Sequence, residues 1–222
     1  MQQMVKTCLT APVQQALQAC ELVATVLSQQ PDSPVEVRIR INDRLRHVLR
    51  ELGQYAEAEV PARKAVAAAQ ESKQRGAIAL QQNGLASVLK DLGRYSEAEE
   101  LFRSATELAK KEYGPEDIPV AVAMGNLAGV LKDQGKLVEA ESLYRASLAI
   151  FEKNLDPDHP SLAGALERLA GVLNAQLKLV EAESLIRKSL AIFEDVYKRQ
   201  PCALSLPTSS ACYKSLGASS SS

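Results

Sequence analysis

Pairs of glutamates on either side of one alanine recur four times along the chain, and two nearby carboxylates could carry out general acid–base catalysis. The alanine between them falls on the apolar side of a stretch with helical spacing. A catalytic pair would be needed once, whereas this pair occurs four times. We therefore interpret the pairs as part of a solvated helix face; they stand at 57–59, 97–99, 139–141 and 181–183.

Histidines and cysteines are too sparse for a nucleophilic or metal site. A serine or cysteine nucleophile needs a histidine base within hydrogen-bond reach, and the sequence offers His47 and His159 alone. His159 lies in DPDHP (156–160), whose prolines and acids predict a turn. With no glycine-rich phosphate loop either, we predict a protein that is not an enzyme and uses no cofactor or metal. The cysteines lack CxxC spacing and are expected to be buried or incidental thiols: Cys8, Cys20, Cys202 and Cys212.

Composition narrows the class of partner. The 222 residues carry a formal net charge of −1, which disfavours nucleic acid because phosphate binding calls for a basic face. No apolar run approaches the roughly 20 residues of a membrane span, and the N-terminus lacks the apolar core of a secretory signal. We therefore predict a cytoplasmic protein whose partner is neither nucleic acid nor a membrane.

The chain contains an internal repeat. LVEAESLYRASLAIFE (137–152) returns 42 positions later as LVEAESLIRKSLAIFE (179–194), and only two of the sixteen positions differ. Related stretches occur earlier, at GRYSEAEELFR (93–103) and GQYAEAEVPAR (53–63). Self-similarity at such a period indicates a stacked array rather than one globular core.

Each copy reads as two helices joined by a turn. Leucines four positions apart lie on one face of the first helix, at 45 and 49, 85 and 89, 127 and 131, and 169 and 173. Glycine follows at 53, 93 and 135, where a residue tolerant of the left-handed conformation can end that helix. The second helix has its own apolar stripe, which in the last copy is Leu179, Ala182, Ile186 and Leu190.

The order of a small residue, a turn glycine, an aromatic, an alanine and a second aromatic resembles the tetratricopeptide repeat. The usual repeat has about 34 residues, and the additional residues here are KEYGPEDIPVA (111–121) and KNLDPDHPSLA (153–163). The longer unit with its proline-bounded loop is similar to the repeats of kinesin light chains. HEAT and armadillo repeats lack this residue order. The resemblance covers roughly 38–194 and implies an all-α fold, a right-handed α-solenoid of antiparallel helix pairs.

The predicted organisation has three parts. Residues 1–37 form an N-terminal helix or half-repeat cap, in which 12–30 is the helix. Four helical hairpins follow at about 38–77, 78–119, 120–161 and 162–194. Residues 195–222 depart from the repeat, and DVYKRQ (195–200) can be encoded by the end sequence of a transposon used in sequencing libraries. We interpret this tail as a sequencing artefact or a disordered segment. Without a covering repeat, residues such as Leu185 and Ile192 are expected to be partly exposed and to favour self-association.

The resemblance also implies a binding groove. Tetratricopeptide arrays hold a peptide against the concave side, which the first helices line. The arginines and lysines at the groove positions would favour acidic groups in the ligand. Kinesin light chain repeats often have two adjacent asparagines before Leu-Ala, and this chain lacks them. Transferring the family's groove positions to this sequence gives Arg44, Arg50, Asn83, Ser87, Lys90, Asn126, Lys132, Arg168 and Asn174.

The predicted function is a protein–protein interaction scaffold that binds a peptide segment of a partner without catalysis. Two alternatives place the same array in a different context. It could be the sensor or regulatory region of a larger signalling ATPase, or a kinesin cargo adaptor.

Overall fold

The computed structural model describes residues 7–10, 12–28 and 33–199, and within them every regular element is a helix. Residues 7–10 are helical, and no described helix is long and apolar enough to cross a membrane. The longer helices are α1 (Val13–Ser28), α2 (Val35–Glu51), α3 (Tyr55–Ser72), α4 (Arg75–Asp91), α5 (Tyr95–Tyr113), α6 (Ile118–Asp133), α7 (Leu137–Asn154), α8 (Pro160–Ala175) and α9 (Leu179–Arg199).

From α2 onward the helices pack as consecutive pairs, α2 with α3 through α8 with α9, and each pair also packs on the next. The three-residue connection inside each pair makes its two helices antiparallel neighbours. First helices also contact one another from pair to pair, so that α2, α4, α6 and α8 share one side of the stack. The predicted all-α solenoid of helix pairs is confirmed.

Glycine ends the first helix of three pairs because the chain there must turn through the left-handed region. Gly53, Gly93 and Gly135 have φ of +74°, +76° and +79°. The residue after each glycine donates its amide back to the leucine carbonyl five positions earlier, as Gln54 does to Leu49 at 2.8 Å. In the last pair Leu177 takes this place with φ of +62°, although a left-handed leucine is disfavoured.

The core is built from the predicted leucine pairs and small residues. All eight leucines of the first helices are buried, and alanines on both helices of the hairpins allow close approach. The stripe expected on α9 is wrong, since Ala182 is buried but Leu179, Ile186 and Leu190 are exposed. The positions of Ile186 and Leu190 are buried or half-buried in the earlier copies, where another pair follows, and α9 has no following pair among the described residues. The position of Leu179 is exposed in two earlier copies as well, at Tyr55 and Tyr95. Leu185 and Ile192 are partly buried against the core.

The first glutamate of each acidic pair is exposed, as expected for a solvated helix face, but the second glutamate of three pairs is half-buried and also forms an ion pair with the next hairpin. The second glutamate of the pair in α5, Glu99, accepts from Arg103 one turn later and from Lys136 in the turn before α7. Arg103 also reaches Glu139, the first glutamate of the next copy, at 2.5 Å. The same contacts recur one repeat on, among Glu141, Arg145, Lys178 and Glu181. We call this repeated network the ion-pair ladder.

The N-terminal segment departs from prediction in its cysteines. Cys8 and Cys20 are buried as expected, but they form a disulfide that ties residues 7–10 to α1. Their separation of 12 residues is not a recognised redox or metal spacing, so no sequence pattern indicated the disulfide. Cys202 and Cys212 lie outside the described residues.

The end of the array extends slightly beyond the repeat. Helix α9 continues through Arg199, although the internal identity ends at residue 194. The first residues of the non-repeat tail therefore continue the helix. The prediction for the rest of the tail concerns residues 200–222, which lie outside the described residues.

Candidate functional site

The first helices converge on one polar cavity of about 480 Å³. Its walls come from α2, α4, α6 and α8, while Phe102 of α5 and Tyr144 of α7 reach it from the second helices. Because the first helices line one side of the stack, the cavity spans successive repeats. It contains six of the nine residues predicted to form the groove: Arg50, Ser87, Lys90, Asn126, Lys132 and Arg168.

The cavity is cationic even after its internal ion pairs are counted. Arg50 pairs with Asp91 at 2.6 Å, and Lys90 pairs with Asp133 at 3.2 Å. Lys132 and Arg168 form no ion pair within the part of the chain that the structure describes. Two positive charges therefore remain uncompensated on this surface and are available to a ligand anion.

Neutral hydrogen-bonding groups accompany these cations. The amide of Asn126 donates to Asn83 Oδ1 at 3.2 Å, which joins neighbouring repeats. The Ser87 hydroxyl donates to the Asn83 carbonyl at 2.9 Å. Burial raises the pKa of the Tyr144 phenol, so its hydroxyl stays protonated at neutral pH and can donate. Amide and hydroxyl groups of this kind can satisfy the backbone of an extended peptide.

Two glycines on α6, Gly125 and Gly129, line the cavity. A Cβ added at Gly129 would lie 3.4 Å from the Tyr144 hydroxyl and 3.7 Å from Lys90 Nζ. One added at Gly125 would lie 3.5 Å from a guanidinium nitrogen of Arg168. A methyl group at either glycine would therefore be in ordinary van der Waals contact with the polar ends of Tyr144, Lys90 or Arg168.

An apolar cavity of about 330 Å³ lies next to the polar one, between the N-terminal halves of α4 and α6. Its walls include Leu80, Val122 and Ile118, with Tyr113 at the end of α5. Asn83 lines this cavity and bonds to Asn126 of the polar one, so the asparagine pair marks the boundary between them. An apolar pocket beside convergent polar groups is a common form of ligand site.

The remaining predicted residues are placed differently. Asn83 lies in the apolar cavity. Arg44 donates to the Cys8 carbonyl at 3.3 Å and so contacts the N-terminal segment rather than either cavity. Asn174 is exposed near the end of α8 and lines neither cavity. The role of all nine residues in peptide binding stays a prediction.

Sequence reasoning missed the acids that pair with the groove cations and the whole apolar cavity. Asp91 and Asp133 each follow a groove lysine, so the repeated Lys-Asp dipeptide was a signal that could have been used. Tyr113, Ile118 and Pro119 belong to the residues that lengthen the repeat. Only the folded chain shows that this extension lines a cavity beside the polar one.

A stack of helical hairpins whose first helices share one side defines a class of repeat solenoids. A family model for the tetratricopeptide repeat matches residues 40–111, 76–132 and 119–195, and the chain belongs to this family. No match was found among curated proteins.

Solved structures share the fold. A kinesin light chain-type protein from Podosopora anserina with nearly identical TPR-like repeats has 23% identity and a TM-score of 0.69, covering 88% of this chain and 93% of that one. The apo form of RapI has 21% identity and a TM-score of 0.74, covering 88% and 69%. A Rap protein complexed with Competence and Sporulation Factor has 21% identity and a TM-score of 0.66, covering 86% and 51%. Kinesin light chain-like repeat proteins are thus among the structural neighbours.

Proposed function

We propose that the protein is a cytoplasmic interaction scaffold that binds a peptide segment of a partner along its first helices. The observation that carries the proposal is the convergence of six predicted groove residues on one cavity spanning successive repeats. Family membership supports a binding scaffold, because tetratricopeptide arrays typically serve protein–protein interaction. That a Rap protein was solved with Competence and Sporulation Factor gives one example of a bound partner on a similar fold.

The charge of the cavity favours an acidic residue in the ligand. Lys132 and Arg168 are the cations to which no carboxylate of the described residues is paired, and they line one cavity. A ligand carboxylate there would replace no existing ion pair. By contrast, recruiting Arg50 or Lys90 would mean competing with Asp91 or Asp133. The neighbouring amide and hydroxyl groups would then bind the peptide backbone on either side.

Selection of displayed random 12-residue peptides against the full chain tests the proposal. We expect selected peptides to be enriched in aspartate and glutamate. The double variant Lys132→Glu/Arg168→Glu should weaken their binding by at least about tenfold in fluorescence anisotropy, because attraction becomes repulsion at both positions. Helical circular dichroism should be unchanged, since exposed charges contribute little to stability.

A matched control is Lys111→Glu, which changes an exposed lysine near the end of α5 that lines neither cavity. It should leave peptide affinity within about twofold of the wild-type value, as expected for a charge at some distance in physiological salt. Peptides that bind both variants as tightly as the wild type would place the binding site elsewhere.

A further inference from the structure

The surplus positive charge of the polar cavity lies along one face of α6. Gly125, Gly129 and Lys132 follow one another at intervals of four and three residues, so they share that face. All three line the cavity, and Arg168 reaches it from α8. A guanidinium nitrogen of Arg168 lies 3.5 Å from the position that a Cβ of Gly125 would take. The two cations without an ion pair among the described residues, Lys132 and Arg168, therefore border the same strip of the cavity.

The hydroxyl of Tyr144 belongs to the same strip. It lies 3.4 Å from the position that a Cβ of Gly129 would take, and Gly129 stands between Gly125 and Lys132 on the helix face. Tyr144 is 5% exposed, yet its hydroxyl forms no hydrogen bond with another described residue. Because burial raises the pKa of this phenol, the hydroxyl keeps its proton at neutral pH. The strip thus offers two cations and a neutral donor that is still free.

The carboxylates nearby do not neutralise these groups. Asp91 pairs with Arg50 at 2.6 Å, and Asp133 pairs with Lys90 at 3.2 Å. These pairs leave the surplus of two positive charges in place. Lys132, Arg168 and the Tyr144 hydroxyl can all donate hydrogen bonds to a ligand. The anion that fits this strip best carries two negative charges and several acceptor oxygens.

A phosphate monoester meets both requirements in a single group. At pH 7 it carries a charge of about −1.5 to −2 and has three strong acceptor oxygens. One carboxylate supplies about half of that charge and has two oxygens. Two carboxylates could supply the full charge, but like charges held in one site repel each other. The charge and the number of free donors in the cavity therefore favour phosphate over an acidic side chain.

We propose that the polar cavity recognises a phosphorylated side chain of the bound peptide, with Lys132, Arg168 and the Tyr144 hydroxyl as the groups that bind the phosphate. This inference rests on the proposed peptide binding and names the chemical class of its ligand. Phosphorylation of the partner would then switch binding on, because the unmodified side chain leaves both cations unmatched. Peptides rich in aspartate and glutamate would bind as weaker substitutes.

Four peptide libraries test this proposal, each with about five random, non-acidic residues on either side of a fixed centre. The centre is phosphoserine, serine, glutamate or a Glu-Glu pair. We expect the immobilised full chain to retain the phosphoserine library at least about fivefold better than the glutamate or Glu-Glu library, because one dianion satisfies both cations and the hydroxyl. The serine library should be retained least.

Variants of the chain locate the phosphate. Arg168→Gln and Lys132→Gln should each lower retention of the phosphoserine library about tenfold. Tyr144→Phe should lower it about threefold, the loss of one hydrogen bond. Phenylalanine already occupies the equivalent buried position of α5, Phe102, so this variant is expected to fold. Lys111→Gln, at an exposed position that lines neither cavity, is the control and should have no effect.

Other results would overturn the inference. Equal retention of the phosphoserine library and either glutamate-containing library would do so while leaving the peptide-binding proposal intact. Phosphoserine binding that survives both Arg168→Gln and Lys132→Gln would place the phosphate elsewhere. If inorganic phosphate competed as well as an equal concentration of the phosphoserine library, the cavity would be a site for free phosphate instead. Retention of no library would contradict the peptide-binding proposal as well.

Discussion

The guanidinium of Arg46 on α2 fills the space beside Gly84 on α4. A Cβ added at Gly84 would lie 2.9 Å from both Cζ and Nε of Arg46. Arg46 is 5% exposed and pairs with Asp43, so it is held in this position. The first repeat has arginine where other repeats have a small residue, and the glycine of the next repeat accommodates the larger side chain.

Replacing Gly84 by alanine should therefore not stabilise the protein, although alanine normally stabilises a helix relative to glycine. Gly171→Ala on α8 is the matched control, since a Cβ there meets nothing within 4 Å. We expect Gly171→Ala to raise the free energy of unfolding by about 0.5–1 kcal/mol. Gly84→Ala should be about 1–2 kcal/mol less stable than that control because a buried side chain must move.

Removing Arg46 separates the effect of alanine on the helix from the effect of its contact with the arginine. In the background of Arg46→Ala, the change Gly84→Ala should become favourable, as it is at Gly171. A double-mutant cycle by urea denaturation measures this coupling. Additive effects of the two substitutions would show that the contact between Arg46 and Gly84 does not govern the outcome.

Replacing Leu177 by glycine should stabilise the last hairpin. Leu177 has a left-handed backbone and is 81% exposed, so glycine relieves strain and sacrifices little apolar burial. We expect the thermal unfolding midpoint to rise. The free energy of unfolding should increase by about 0.5–1 kcal/mol, after the greater entropy of glycine in the unfolded chain is included. The reciprocal change Gly135→Leu should lower it. A lower midpoint for Leu177→Gly would show that the leucine side chain contributes packing that outweighs the strain.

Acid should weaken the ion-pair ladder. Hydrogen bonds from Lys136 and Lys178 lower the pKa of Glu99 and Glu141, respectively, to about 2. Because the folded pKa lies below the ordinary value of 4.5, their stabilisation is complete above about pH 4.5 and is lost as pH falls toward 2. The expected loss is on the order of 1 kcal/mol per carboxylate, allowing for screening by solvent.

Urea denaturation at pH 7 and pH 3 measures this effect. Glu141→Gln should reduce the difference between the two pH values, whereas Glu57→Gln, on an exposed position of α3, should not. An unchanged pH dependence in Glu141→Gln would mean that its ion pairs with Lys178 and Arg145 contribute nothing to stability.

The bond between Cys8 and Cys20 should appear as a disulfide-linked peptide in a non-reducing digest of the oxidised protein. Reduction, or Cys20→Ser, should increase hydrogen exchange in α1, because residues 7–10 are then no longer tied to it. The array from α4 onward should be unaffected. The reducing cytoplasm disfavours such bonds, so trapping thiols in intact cells also tests the proposed location. Identical exchange in α1 with and without the bond would show that packing alone holds the segment.

Sequence alone determined the repeat architecture because each repeat must fulfil the same local requirements. Every hairpin needs leucines four residues apart, small residues between its helices, and in most copies a glycine such as Gly135 in the left-handed turn. These residues therefore recur at a fixed spacing and can be recognised in the sequence. The same period located most of the cavity, since its walls come from equivalent positions on consecutive first helices.

Only the tertiary structure decided how equivalent residues differ in their surroundings. Leu148 and Leu190 occupy the same place in the repeat, yet one is buried and the other exposed, because burial depends on whether another hairpin follows. Lys90 and Lys132 are likewise equivalent, but a nearby carboxylate neutralises the first alone. Repeated sequence specifies each hairpin through local packing, whereas side-chain pairing and exposure depend on neighbours that are distant in the chain and differ along the stack.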